Sequence, residues 1–472
     1  MAADAHAYLA IDQGGSATRV AVLDRSGSLR HLARRALQTQ RGARGEVTHD
    51  ARRLIGDLDD ALCEAIEAAH ALGLPITAAG LSCQRASVVA FDADSLEPLS
   101  DVLSWQDTRA ADLLVAAQLD ADEVLVRTGM YPTAFHGASK LRWLQEAIPA
   151  RGGGRRMLAP LASFLAARLG GRVCCPATIA QRSLLFDRQA GAWSDLLLAQ
   201  FGLHRDVLPP VCADVADFGV IERAGARIPL RVVAGDQNLL VAARRLSATQ
   251  GHLNLGTGAF LLLDAVGGTA PTRIQASLAP GPRLGSGCFV EATVHGAAAA
   301  LDWLRDRPGM PNSLPWQALN EVRDDDPCFA NAVGGIGSPW WIADREPAFS
   351  TTPRDAGAAL RAVVDSLAAL LRVNLDAVAG GAVRPPRLRV SGGLTHQAGL
   401  IRRLADTLGV VLQVDDEAEL SLRGLWHLLD GRAAASDVAG SEVAPGAHAA
   451  WASARYLRWR QFMATWDARC TH

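Results

Sequence analysis

The most constraining feature of this chain is a pattern that occurs twice. Tyr8 to Asp24 reads YLAIDQGGSATRVAVLD and His252 to Asp264 reads HLNLGTGAFLLLD, each a strand that breaks at a glycine-rich turn and resumes as a second strand. Two such hairpins imply two related halves. Between them helix-like and strand-like segments alternate: a helical run from Asp50 to about Leu72, a strand from Ile76 to Leu81, and a β-rich stretch from Leu230 to Gly235. The fold class is therefore α/β. No long polar or Pro/Ser-rich linker interrupts the chain, so the boundary is placed where the pattern restarts, near residues 243–250, which gives domains 1–245 and 246–472.

Composition supports this division and excludes other classes. The 472 residues are 49% hydrophobic, enough for more than one sizeable core. The formal net charge of -2 leaves no basic excess for phosphate backbones, so nucleic acid is excluded as the main partner. The opening MAADAHAYLAIDQGG has no basic n-region or apolar h-region, and no run of about 18 apolar residues occurs. Neither secretion nor a membrane partner is expected, and the location expected is cytoplasmic. The 8 cysteines form no C-x-x-C and read as reduced, mostly buried thiols. Lys140 is the only lysine, which reads as compositional bias.

The clearest helix is predicted over 353–379, with Leu360, Val363, Val364, Leu367, Leu370, Leu371 and Val378 at helical spacing, Thr352 as N-cap, Pro353 in the first turn, and Gly380 and Gly381 as the stop. Leu388-Arg389-Val390 then forms a short strand that ends in Ser391-Gly392-Gly393, and a second amphipathic helix passes through Leu400, Leu404 and Leu408. A strand, a double glycine and a helix offer backbone N–H groups to a nucleotide or make a plain tight turn.

Three places carry groups suited to chemistry. Asp12 through Arg19 puts a carboxylate at a strand end, small residues through the turn, and hydroxyls plus a guanidinium after it. Glycines let a backbone approach an anion, and successive N–H groups in a turn make a concave phosphate site. Taken alone, the turn is equally a hairpin with a surface arginine, but its twin at Gly256-Thr257-Gly258 favours a phosphate role. Asp236 follows the strand Leu230 to Val233 and precedes a helix-like run from Leu239 to Arg245. It is read as a reactive acid at a strand end, as a helix cap, or as both.

Together these residues resemble the FGGY carbohydrate kinases, the family of glycerol kinases and xylulokinases within the sugar kinase/actin/Hsp70 superfamily. DQGGSATR at Asp12 to Arg19 is similar to DQGTTSSR of glycerol kinases. Gly80 to Arg85 and Trp105 to Arg109 resemble the family's NQRE and WQD segments, and Thr128-Gly129 with Ala138 to Trp143 its T-G and S-x-K-x-x-W stretch. AGDQ at 234–237, GTG at 256–258 and Ser391-Gly392-Gly393 match the catalytic segment, the second phosphate turn and the adenosine-site glycines. The matches run from about residue 8 to 430.

The resemblance implies two ribonuclease H-like (actin-like ATPase) domains flanking a central cleft that takes ATP, Mg2+ and a small polyol or sugar, in a homodimer. It implies Asp236 as general base and, with Asp12, a metal contact. Ser16, Ala17, Arg19, Gly256 and Thr257 would meet phosphate, Gly393 and Gln397 adenosine, and Arg85, Trp105, Phe135, Asp236 and Gln237 the acceptor. Two positions depart from the glycerol kinase pattern: Ala86 stands where a glutamate is expected and Phe135 where a tyrosine is. Each loss removes a hydrogen-bond partner from a small polyol, so the site is expected to discriminate less or to make room for a larger substrate. His136 is expected to be a solvated loop residue or a replacement donor. Cys83 to Ser87 lacks the GQMHG-like stretch of xylulokinases, which argues against a close relation to their sugar site. Gly334 to Trp341, with Asp344 and Arg345 following, resembles a second family signature and is given a structural or interdomain role. A xylulokinase-type ketose kinase is the alternative reading. A nucleotide- or sugar-binding pseudokinase would be expected to lose the base or a phosphate turn, and an actin- or chaperone-like ATPase would not need the acceptor segments.

Overall fold

The computed structural model describes residues 6–148, 154–265, 273–284, 287–379, 384–416, 419–432 and 440–471. The chain divides into two compact units, one of Met1–Arg245, Ser277–Cys288 and Glu419–Ala435, the other of Leu246–Ala276, Phe289–Ala418 and Ser436–His472. Two segments from the C-terminal half of the sequence thus belong to the first unit.

The first unit is organised by a six-stranded sheet. Its strands are β1 (Ala7–Gln13), β2 (Ala17–Asp24), β3 (Leu29–Ala36), β4 (Ile76–Cys83), β5 (Val220–Arg223) and β6 (Ala226–Gly235), in the order β5-β6-β4-β1-β2-β3. β1 pairs antiparallel with β2 and parallel with β4, and β4 pairs parallel with β6. β1 is buried along its whole length, which is why its apolar residues run continuously instead of alternating. Helix α1 (Ala51–Ala71) covers one face with Leu54, Leu58, Leu62 and Ile66, and the Asp50 carboxylate caps it by accepting from the N–H groups of Arg52 and Arg53. On the other face Tyr8, Ala10, Ala21, Val232 and Ala234 pack with Leu422, Leu425 and Trp426 from the helix Leu420–Asp430. That apolar face explains the return of Glu419–Ala435 to this unit: without it, half of the sheet would lie uncovered.

The second unit repeats the plan. Its seven-stranded sheet contains β7 (Gln250–Leu255), β8 (Ala259–Asp264), β9 (Gln275–Leu278), β10 (Cys288–Val294), β11 (Arg387–Ser391), β12 (Val411–Asp415) and β13 (Gly440–Val443), ordered β9-β10-β8-β7-β11-β12-β13. β7 is antiparallel to β8 and parallel to β11, which is parallel to β12. The long helix begins at Ala356, not at 353, because the Asp355 carboxylate caps it by accepting from the Ala358 N–H at 2.7 Å. Gly380 and Gly381 lie outside the described residues.

The segment Gly334 to Trp341 is structural within this unit. Ser338 Oγ donates to Asn374 Oδ1 at 2.7 Å, Trp340 stacks on Trp459 at 6.1 Å, and Arg345 binds Asp467 at 2.8 Å. All eight cysteines are free thiols; Cys63, Cys212 and Cys288 are half-buried and the others buried. Among the described residues no helix is long and apolar enough to cross a membrane.

Candidate active site

Asp12 stands one residue before the end of β1, where it pairs with Arg19 across the hairpin and with Ser82 across the parallel ladder. Its side chain follows the backbone register. Arg19 Nη1 donates to Oδ2 at 2.9 Å and Ser82 Oγ donates to Oδ1 at 2.6 Å. Arg19 also reaches Glu419 at 3.2 Å, so it is no ordinary surface arginine. Asp12 is only 3% exposed. Burial pushes its carboxyl up to about 6 against the pull of Arg19 and Ser82, and the charges of Asp236 and Glu419 push the same way. A cation beside it would favour the ionised form.

β6 ends at Gly235, and the next residue, Asp236, opens helix α2 (Asp236–Ala243). The carboxylate accepts from the Gln237 backbone N–H at 2.7 Å and from Gln237 Nε2 at 3.3 Å, while Arg85 Nε lies 3.5 Å from Oδ1. Asp236 therefore sits within the first helical turn, with Gly235 at the N-cap. Arg85 is held in turn by Asn238 Oδ1 at 3.2 Å, and Asn238 Nδ2 donates to the Leu278 carbonyl at 2.7 Å. A Cβ at position 235 would fall 2.7 Å from Arg85 Cδ and 2.5 Å from Asn238 Oδ1, so only glycine lets the arginine lie over the strand–helix joint.

Trp105 and Phe135 approach each other with ring centroids 6.2 Å apart. The Trp105 N–H donates to Ser87 Oγ at 2.9 Å, and Ser87 Oγ donates to Gln84 Oε1 at 3.1 Å. Lys140 joins the two aromatic segments from behind: its Nζ donates to the carbonyls of Phe135 at 2.8 Å, Ala134 at 3.4 Å and Trp105 at 3.4 Å. Burial drags this ammonium down to about 7, opposed by Asp107. The sole lysine thus has a structural place that composition did not reveal. Asp107 is fully buried and holds the Trp105 loop by accepting from the Val47 N–H at 2.8 Å and from Arg109 Nη2 at 2.8 Å.

The hairpin tip adjoins these residues, since a Cβ on Gly15 would lie 3.6 Å from Trp105 Nε1 and 3.7 Å from Gln84 Oε1. Ser16 is exposed at the tip, whereas Ala17 is buried and contributes its carbonyl, which accepts from the Gly14 N–H at 3.0 Å. Gln84 was not among the expected contacts, yet its Nε2 is buried without a partner among the described residues. Its position beside Arg85 was the available signal. His136, expected to be solvated, is buried, because the helix Gly137–Ala147 starts directly against Arg182 and Ser183. Ala86 adopts a left-handed backbone with φ 63°.

In the second unit the turn after β7 closes through the Gly256 N–H to the Gly258 carbonyl at 2.9 Å. Ala297 and Ala299 donate to the Thr257 carbonyl at 3.1 Å, which docks the turn on the start of the helix Ala298–Arg305 and leaves Thr257 exposed. At the end of β11, Gly392 has φ 101°, and a Cβ there would meet the Leu255 carbonyl oxygen at 2.4 Å. Gly393 follows, exposed, and Gln397 precedes the helix Ala398–Leu408.

The first unit thus gathers Asp12, Arg19, Arg85, Asp236 and Gln237 around two strand ends and pairs Trp105 with Phe135. The second carries Gly256, Thr257, Gly393 and Gln397 at the ends of β7 and β11. Among the described residues no group of three or more His, Cys, Asp or Glu could hold a metal by itself. Two carboxylates suit Mg2+, which typically keeps waters and phosphate oxygens in its shell.

Residues 7–239 match the N-terminal domain of the FGGY family of carbohydrate kinases, and residues 251–428 match its C-terminal domain. A glycerol kinase of Rhodospirillum rubrum is 31% identical over 425 residues, covering 86% of each chain. In structure, the glycerol kinase of Plasmodium falciparum with ADP is similar at a TM-score of 0.83 and 19% identity over 98% of both chains. The ligand-bound xylulose kinase of Lactobacillus acidophilus is similar at a TM-score of 0.83 and 16% identity, again over 98% of both. At those identities the structural likeness speaks for the shared two-domain fold.

Proposed function

The chain belongs to the FGGY family of carbohydrate kinases and is a phosphotransferase acting on a sugar or polyol hydroxyl, and we propose that it moves the γ-phosphoryl group of ATP to a small polyol or ketose through an acceptor pocket altered from that of glycerol kinases. The observation that carries this reading is the pairing of Asp236 with Arg85 at the end of β6, in the same unit as the buried Asp12.

Asp236 acts as the general base, taking the proton of the attacking hydroxyl. Of the two acids it is the accessible one, its side chain 27% exposed against 4% for Asp12. Arg85 and Gln237 hold it and orient the acceptor, with Trp105 and Phe135 as apolar walls. Bound Mg2+ would supply charge neutralisation for the phosphates, and Asp12 with Asp236 would hold it. Arg19, Ser16 and the Ala17 backbone are assigned to phosphate, as are Gly256 and Thr257, and Gly393 and Gln397 to adenosine. Such chemistry requires positioning and electrostatics more than covalent help. A homodimer is part of the same proposal and is read by light scattering on the eluted protein.

The deciding experiment is a coupled ADP-release assay with MgATP against glycerol, erythritol, threitol, D- and L-xylulose, D- and L-ribulose and gluconate. Acceptor-dependent release is expected, with D236N lowering kcat by roughly 10³-fold or more and ATP affinity nearly unchanged. No acceptor-dependent release from folded protein would overturn the reading. A86E is expected to improve glycerol use, because it restores a hydrogen-bonding group; no change removes Ala86 from the specificity argument.

A further inference from the structure

Behind the Gly235–Asp236 joint lies a buried polar arrangement that the proposed chemistry does not use. Two short parallel strands, Cys175–Pro176 and Val211–Cys212, run side by side. Each delivers one residue just beyond its end: Thr178, within the short helix Ala177–Gln181, and Asp214. Asp214 is 2% exposed, and its Oδ1 accepts from the Thr178 N–H at 3.1 Å and from Thr178 Oγ1 at 2.6 Å. The Thr178 hydroxyl in turn accepts the Gly235 N–H at 3.2 Å. The Asp214 carbonyl accepts the Val233 N–H at 2.9 Å, so the same residue also grips β6 two positions earlier.

The chemistry of a hydroxyl makes this more than packing. A threonine has one hydrogen to give. With that hydrogen committed to the Asp214 carboxyl, its lone pairs face the Gly235 N–H, which sits where the sheet ladder ends and a helix has not begun. Oδ1 accepts from the hydroxyl whether or not the acid is protonated at Oδ2. Arg85 occupies the space where a side chain at 235 would go, its Cδ only 2.7 Å from where a Cβ would lie, so the absence of a side chain at Gly235 is what admits it. The residue that precedes Asp236 is therefore held by a hydrogen bond through its N–H, with the Arg85 side chain filling the space beside its Cα.

We propose that Asp214 and Thr178 are positioning residues, a relay that fixes the Gly235 peptide and through it the orientation of the Asp236 carboxylate toward the acceptor hydroxyl. The inference rests on Asp236 being the base. Small misplacement of a reacting group lowers turnover steeply while leaving binding almost intact.

The test is steady-state kinetics with MgATP and the best acceptor from the panel above, on T178V, T178S, D214N and the T178V/D214N double variant, each with its thermal midpoint. T178V is expected to lower kcat about 10- to 100-fold with both KM values within about twofold of the parent. T178S keeps the hydroxyl and is expected to restore kcat to within about threefold. The double variant is expected to lose no more than T178V alone, because the two residues act in series. The relay is overturned if T178V keeps its kcat, if T178S is as impaired as T178V, or if the two substitutions add. Should T178V not be recovered folded, T178A replaces it under the same criteria. D236N separates the two levels: turnover lost in D236N but kept in T178V rejects the relay alone, whereas turnover kept in D236N rejects the base on which it rests.

Discussion

The two units place different chemistry on the same scaffold corner. In the first, Asp12 stands opposite Arg19 in the hairpin and beside Ser82 on the parallel strand. In the second, Asn254 stands opposite Phe260 and beside Ser391. Even the serine contact is repeated, at 2.6 Å to Asp12 Oδ1 and 3.3 Å to Asn254 Oδ1. What changes is charge: a carboxylate with a guanidinium in one unit, an amide with a phenyl ring in the other. Repetition of a fold therefore repeats backbone geometry and leaves each corner free to take its own electrostatics. Of these two corners, the carboxylate of the first is the one that suits the proposed cation.

The comparison is broken most severely by D12N, which gives the first corner the amide of the second while leaving Arg19 opposite it. If the carboxylate charge serves the metal, kcat falls by about 10²- to 10³-fold, a loss of about 3–4 kcal/mol in transition-state stabilisation, and the Mg2+ concentration needed for half-maximal rate rises. A titration of rate against Mg2+ decides it; an unchanged requirement would mean that the corner's charge is structural.

Next in size are opposite pH responses from the two units. Burial raises the Asp214 carboxyl from its ordinary 3.8 to about 7, so it keeps its proton over that window only when folded. Its contribution is full below about pH 4 and is lost as pH rises to about 7. Burial lowers His295 of the second unit from 6.5 to about 4, so its contribution is full above about 6.5 and is lost as pH falls to about 4. The first limb is on the order of 4 kcal/mol and the second on the order of 3 kcal/mol. Hydrogen exchange of peptides from each unit between pH 4 and 7 is expected to show D214N flattening the first response and H295Q flattening the second. Parallel slopes in parent and variant would remove the group concerned.

The smallest effect is the reverse exchange, N254D. It puts a carboxylate opposite Phe260 with no guanidinium across the hairpin, so it is expected to cost about 1–2 kcal/mol of stability, read as a drop of a few degrees in thermal midpoint, without increasing kcat. A gain in kcat would show that charge alone makes the corner functional.

Much of this was legible in the chain. Asp12, Arg19 and Asp236 stand at strand ends that hydrophobic runs and glycines announce locally, and the α1 cap at Asp50 is a local signal too. Helix starts were less legible: at Thr352 to Ala356 several polar residues could cap, and Asp355 is the one whose carboxylate accepts from the Ala358 N–H. His136 looked like a loop residue until the helix behind it was seen to start against Ser183.

By itself the sequence determined the α/β class, the doubled hairpin and the family, because these depend on patterns within tens of residues. Only the tertiary structure decided that Glu419 would meet Arg19 across 400 positions, that Leu422, Leu425 and Trp426 would cover the second face of the first sheet, and that Asp214 would reach Thr178 across 36. Those pairings follow from which apolar faces must be covered and which buried N–H groups must find acceptors. Such demands are met in three dimensions, and spacing along the chain carries no mark of them.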